Sequence, residues 1–193
     1  MIRKYIIATC ITIMVSNSLI CQVKNEKEYR IPKSKFPDKA FSYFHKDLET
    51  ARRVRYYFEI DNDSISYEAK FKQDGNLYSI EFDSEGNLED VEVQTDENEM
   101  DSNASSNIHE YLDSFFKKHR IIKIQRQFPP SIFGNGTVRI SDERKSIDNL
   151  KYEIIVAGRK EKGFERYEML FNNLGNLLEK RKFVVLGYDH ILY

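Results

Sequence analysis

The chain has 193 residues, 40% of them hydrophobic and 13% aromatic, enough for a real core in one full-sized domain or two small ones, which excludes general disorder. The formal net charge of −1 hides a split: residues 22–116 carry 12 Lys/Arg against 22 Asp/Glu, and residues 117–193 carry 16 against 9. The halves, at −10 and +7, read first as two solvated faces of opposite sign, and such a field could also steer a partner or hold the halves together.

Residues 1–21 read as a secretory signal peptide. Arg3 and Lys4 precede an apolar run from Tyr5 to Val15, and the polar stretch from Ser16 to Cys21 follows as a cleavage region. The apolar run is short for a membrane span. Cleavage after Ser18 and cleavage after Cys21 both fit, and a lipid anchor at Cys21 is the alternative, although Ile20 occupies the place where such a signal has a small residue. Cys10 and Cys21 both lie in this leader, so the mature chain is expected to have no disulfide and no thiol chemistry. The expected location is periplasmic or secreted, with no membrane span once the signal is removed.

Next comes a helix, with Pro37 at its first position and Ala40, Phe41, Phe44 and Leu48 as its apolar stripe. Four antiparallel strands follow. Their alternating residues are Val54-Tyr56-Phe58-Ile60, Ile65-Tyr67-Ala69-Phe71, Tyr78-Ile80-Phe82 and the run from Leu88 to Val93, and turns are expected at Asp61-Asn62-Asp63, Asp74-Gly75 and Gly86-Asn87. Val91 and Val93 fall out of phase with Leu88, which calls for a bulge.

The polar, acidic stretch 95–105 reads as an exposed linker. Ile108, Tyr111, Leu112, Phe115 and Phe116 then repeat at helical spacing, with Asn107 and Glu110 placed as a capping box. The segment Tyr167-Glu168-Met169-Leu170-Phe171-Asn172-Asn173-Leu174-Gly175-Asn176-Leu177 matches the segment from Tyr78 to Leu88 at Tyr, Phe, Gly, Asn and Leu. Tyr152-Glu153 pairs with Tyr67-Glu68 at an offset four residues smaller, which predicts a longer loop around Lys160 to Gly163. Residues 129–149, with Pro129-Pro130 and Gly134-Asn135-Gly136, read as an insertion with a short strand at 137–140.

The expected fold is therefore α+β: a tandem repeat in which each unit is one N-terminal helix packed on a four-stranded antiparallel meander sheet. The expected organisation is a signal peptide at 1–21, a first repeat at 22–94, a linker at 95–105 and a second repeat at 106–193 with its insertion at 129–149.

Tyr67-Glu68-Ala69-Lys70-Phe71, Asp74-Gly75 and Ile80-Glu81-Phe82-Asp83-Ser84-Glu85-Gly86-Asn87-Leu88 together resemble the hairpin-pair pattern of the PepSY-like family related to β-lactamase-inhibitory protein. Tyr152-Glu153 and Phe171 to Leu177 fit that pattern more loosely. The resemblance implies tandem helix-plus-sheet units exported to the periplasm or surface of Bacteroidetes-type bacteria. It also implies a protein-binding role, because the inhibitor fills an enzyme's active site with a concave sheet face and an acidic hairpin loop. Asp74 lies in a hairpin of that kind, though an Asp-Gly turn accounts for it equally. The chain has no Trp, and 129–149 has no counterpart in the pattern.

No catalytic, metal or cofactor residues are assigned. His45, His109, His119 and His190 are scattered, with no second ligand at metal spacing. Asp61-Asn62-Asp63-Ser64 lacks the glycine and distal Glu of a calcium loop and reads as a turn. Glu81 and Asp83 alternate along one strand and are not read as a shared acid/base site, and no glycine-rich phosphate loop is present. Lys117, Lys118, Arg120, Lys123 and Arg126 make a basic run, but export and the adjoining acidic half argue against nucleic acid. The chain is thus read as a non-catalytic exported binding module without a cofactor, a protein inhibitor or regulator whose partner is another exported protein. Tyr56, Tyr57, Tyr67 and Tyr78 are its candidate aromatic anchors. The alternative is an envelope protein that binds a small ligand or lipid.

Overall fold

The period-two alternation of the strands sends one set of side chains to an apolar face and the other to a polar face, and both sets turn out to belong to a single sheet. The structure, a computed structural model, describes residues 22–132, 149–161 and 163–183. The leader at 1–21, most of the insertion at 129–149 with the strand expected at 137–140, and His190 lie outside the described residues.

In chain order the elements are β1 (Gln22–Lys24), β2 (Glu26–Ile31), α1 (Asp38–Phe44), β3 (Arg52–Asp61), β4 (Ser64–Gln73), β5 (Asn76–Asp83) and β6 (Leu88–Gln94). They continue with α2 (Ser102–Phe115), β7 (His119–Phe128), β8 (Lys151–Lys160), β9 (Gly163–Asn172) and β10 (Leu177–Phe183). Among the described residues these ten strands form one sheet, ordered β1-β10-β9-β8-β7-β6-β5-β4-β3-β2.

This overturns the expected α+β tandem of separate helix-plus-sheet units. Two features join what the sequence left apart. First, β6 pairs with β7, with Val91 opposite Phe128 and Val93 opposite Arg126, so each presumed unit's free edge is satisfied by the other's. Second, the segment leading into α1 is itself two strands. β1 runs parallel to β10 at one edge, β2 runs antiparallel to β3 at the opposite edge, and only Asn25 separates them in the chain. A strand segment shared between both edges requires the sheet to curl until those edges meet, giving a nearly closed, barrel-like sheet.

The two helices, of 7 and 14 residues, cover the apolar face. Phe44 of α1 is fully buried, with its ring 6.3 Å from that of Phe71 and 5.7 Å from that of Phe82. On α2, Ile108 and Leu112 are buried, and Tyr111 meets Phe171 edge-on at 5.7 Å. Each fully buried side chain of this size contributes roughly 1.5–3 kcal/mol. One continuous core results, running under both helices from Phe36 to Phe171. No helix among the described residues is long and apolar enough to cross a membrane.

Local details differ from the sequence reading as well. Helix α2 starts within the stretch read as linker: Asp101 caps it, accepting hydrogen bonds from the Asn103 and Ala104 amides, and a capping box forms at Asp96 and Glu99 instead of Asn107 and Glu110. The longer loop expected around Lys160 to Gly163 is a longer hairpin, because Lys160 pairs directly with Gly163 and Arg159 with Phe164. The expected bulge is present, with Leu88 opposite Phe82 and Asp90 opposite Glu81. The matched turns at Gly86 and Gly175, with φ of +77° and +81°, both tuck against a helix N-terminus: Gly86 against Ala40 and Gly175 against Ala104.

Candidate functional site

The polar phase of every strand points to the inside of the curl. A cavity of about 300 Å³ there is lined by side chains from all ten strands, from Lys24 on β1 and Glu26 on β2 to Glu179 and Arg181 on β10. Its lining holds eight carboxylates (Glu26, Glu59, Asp61, Glu81, Glu89, Glu153, Glu168 and Glu179) against two cations, Lys24 and Arg181. Ser64, Ile65, Glu89 and Glu179 are exposed and mark its open side.

The cations are committed to the seam where the sheet edges meet. Lys24 bonds Glu168 and lies 2.6 Å from Glu26. Arg181 donates to Asp61 across the seam at 2.7 Å and approaches Glu168 at 3.1 Å. Burial opposes the charge of Lys24, but Glu168 and Glu26 outweigh it and hold the ammonium protonated. Along the wall, Lys70 lies 3.0 Å from Glu28 and 2.6 Å from Glu68.

Across the middle strands the acids Glu81, Asp90, Glu92 and Glu153 make no such close ion pair among the described residues, though Lys123 and Lys151 act on them from further off. Register places Glu81 opposite Asp90 and Ser79 opposite Glu92. The carboxamide of Gln125 donates to Glu92 at 2.7 Å, and that of Gln127 to Asp90 at 3.0 Å. Burial first, and then the neighbouring carboxylates, push Glu81 and Glu92 well above the usual range and raise Asp90 and Glu153 to about 7. Chemically this is a preformed field of carboxyl oxygens that burial and mutual repulsion hold toward the protonated form, a surface that can exchange protons for an entering cation.

The expected aromatic anchors are not where partner contact needs them. Tyr56 and Tyr78 are buried, and Tyr67 packs on Phe36 and Phe58, because all three fall on the helix-covered phase. Tyr57 alone of the four faces inward, with the Lys70 ammonium 4.8 Å over its ring. The three described histidines stay apart from the cavity: His109 pairs with Glu97 at 2.6 Å, His119 approaches Asp113 at 3.5 Å, and His45 contacts the Ser42 carbonyl. The basic run splits, since Lys123 faces the acids of the inner wall while Arg126 lies on the opposite phase over Phe128. Asp74 sits in its hairpin with φ of +48°, a tight-turn geometry.

The acidic wall itself was missed. Its signal is present in the sequence, because Glu59, Glu68, Glu81, Glu92, Glu153 and Glu168 each fall one residue off the apolar phase of their strands. What hid the site was the assumption that a polar phase means a solvated face.

No protein-family model and no curated protein matches the chain. Solved structures do resemble it. A DUF2874 family protein from Bacteroides uniformis has a TM-score of 0.51 and 16% identity, over 80% of this chain and 94% of that one. Another from Bacteroides ovatus has a TM-score of 0.50 and 15% identity, over 81% and 93%. A BLIP-like protein from Bacteroides fragilis has a TM-score of 0.46 and 15% identity, over 81% and 93%; at that score the likeness carries no weight here. The first two likenesses concern fold alone. None of the three is described as PepSY-like.

Proposed function

We propose that this protein is a non-catalytic binding module of the periplasm or extracellular space that takes basic side chains of another exported protein into its acidic cavity. The observation that carries the reading is the charge imbalance of the lining, eight carboxylates against two cations that are already paired. A lysine or arginine entering from the open side would let carboxyls that burial and mutual repulsion hold protonated ionise against it, a gain that a neutral ligand cannot supply. The leader supports the location, and the lining is made mainly of carboxyl groups. Inhibition of an exported peptidase or hydrolase is the finer form of this reading, and the sequence resemblance is its support.

The test is calorimetric titration of the full chain with oligolysine at low and high salt, alongside the variant Glu59→Gln/Glu153→Gln/Glu168→Gln. Saturable, salt-sensitive binding that the variant loses supports the reading, whereas absence of binding at low salt, or equal binding by the variant, overturns it. An envelope protein retained by the native chain and released by oligolysine identifies the partner, and its activity with and without this chain decides inhibition.

A small cationic ligand is the second reading. It is favoured by the cavity's size, at the lower end of the range of about 300–1,000 Å³ for small-molecule sites. Native mass spectrometry of protein purified from its host would show that ligand retained.

A further inference from the structure

Three carboxylates on the β5–β6 strand pair, Glu81, Asp90 and Glu92, bring one oxygen each within 4.8 Å of one another. The register explains the convergence: Glu81 is directly opposite Asp90, and Glu92 is two residues further along the same face. A second cluster in the same wall shows what such a convergence needs. There Glu28, Glu59 and Glu68 also approach within 4.8 Å, and the Lys70 ammonium sits on them at 3.0 Å from Glu28 and 2.6 Å from Glu68. Among the described residues no ammonium or guanidinium makes the corresponding ion pair with Glu81, Asp90 or Glu92.

A separate observation points to a ligand. Glu92 is 4% exposed, and its Oε1 is buried with no hydrogen-bond partner, as is Oδ1 of Asp90. Their other oxygens are held by Gln125 and Gln127, so both carboxyls are oriented and each keeps one oxygen without a protein hydrogen bond. Buried carboxyl oxygens without a protein partner call for a proton or a cation, and three that converge can share a single cation in place of their protons.

We infer that Glu81, Asp90 and Glu92 form a calcium site on the inner wall of the sheet. Three oxygens within 4.8 Å of one another suit a shared ion at about 2.3–2.6 Å from each. The donor set is all hard oxygen, which selects against zinc and copper, and calcium accepts the irregular and bidentate carboxylate geometry that magnesium resists. The carboxamides of Gln125 and Gln127 serve as positioning groups, holding the ligands through their second oxygens. The site does not depend on the partner reading: a bound ion neutralises the middle of the wall and leaves the seam and the open side of the cavity as they are.

The experiment is titration of the purified full chain with CaCl2 near neutral pH, followed by calorimetry and thermal unfolding, with MgCl2 as the comparison ion. The expected result is one saturable site in the range of about 10⁻⁴–10⁻³ M, with unfolding moved to higher temperature and weaker binding of Mg²⁺. Glu92→Gln and Asp90→Asn should each weaken calcium by about tenfold or more, while Glu85→Gln, an exposed turn carboxylate, leaves it unchanged. Glu81→Gln, which is less buried than Glu92, repeats the test if Glu92→Gln does not fold. No saturable calcium binding, or binding that survives all three ligand variants, overturns the site. The oligolysine titration, run without calcium, fails or succeeds separately.

Discussion

Arg181 on β10 donates to Asp61 on β3 at 2.7 Å, although these strands stand seven places apart in the sheet. The pair spans the seam left between β1 and β2, and the Asn25 amide donates to the same Asp61 side chain at 3.3 Å. Removing the guanidinium takes the cation from Asp61 and leaves Glu168 with Lys24 alone. Both members are about one-fifth exposed, so the cost is below that of a fully buried pair. Arg181→Met is expected to lower unfolding free energy in urea by about 1–3 kcal/mol. Asp61→Asn in the same background should cost less than it does alone, and strict additivity of the two changes would show that the seam is not coupled.

The two glycine turns separate backbone strain from crowding. Gly75 has φ of +91° and open space around its missing Cβ, so Gly75→Ala is expected to cost about 1 kcal/mol. Gly175, at φ of +81°, has the Ala104 carbonyl in the position a Cβ would take and the Asn107 Cβ only 2.9 Å from it. Gly175→Ala is expected to cost clearly more, about 3 kcal/mol, because the turn must lift off the N-terminal end of α2. Equal losses in denaturant melts would mean that the docking of the turn contributes nothing.

The turns were the legible part of this sequence, because positive-φ chemistry is local: Asp74-Gly75, Gly86 and Gly175 declare themselves without reference to anything distant. The apolar phases of β3 to β6 were legible for the same reason. Closure of the sheet was not. The segment Glu26-Lys27-Glu28-Tyr29-Arg30-Ile31 is charged and mostly exposed, as an edge strand is, and carries no alternating apolar signal. Once that segment is missed, the sheet looks open, its polar phase looks solvated, and Glu59, Glu81 and Glu92 look like ordinary surface acids. The site was hidden by a long-range pairing and not by any lack of chemistry in its residues.

Helix α1 has only 7 residues, too short to persist by its own hydrogen bonds, so packing must hold it. Phe44 is the anchor, completely buried, with the rings of Phe36, Phe41 and Phe82 all within 6.0 Å. Phe44→Ala is expected to cost about 3–5 kcal/mol and Phe44→Leu much less, measured by urea unfolding. Hydrogen exchange should show amides in 38–45 losing protection in Phe44→Ala before those of β5 do.

The inner wall makes stability depend on pH in an unusual direction. Burial, followed by the nearness of Glu68 and a hydrogen bond with it, raises the Glu59 carboxyl from 4.5 to about 10. Burial also disfavours the charge on Glu68, but the Lys70 ammonium and hydrogen bonds from Glu59, Lys70 and Ser79 prevail and hold it below its ordinary value. The pair therefore shares one proton, carried by Glu59 and donated to Glu68. The folded state keeps that proton where the unfolded chain has released it, so the contribution of Glu59 is complete below pH 4.5 and is lost as pH rises toward about 10. Unfolding free energy in urea is expected to fall from about pH 5 to about pH 9, opposite to a fold stabilised by ionised carboxylates. Glu59→Gln keeps the hydrogen-bond donor and removes the titration, so its profile should be shallower, meeting the native protein at the acid end and exceeding it at the alkaline end. A native profile that rises over this range, or a Glu59→Gln profile parallel to it, would show that Glu59 is ionised in the folded wall.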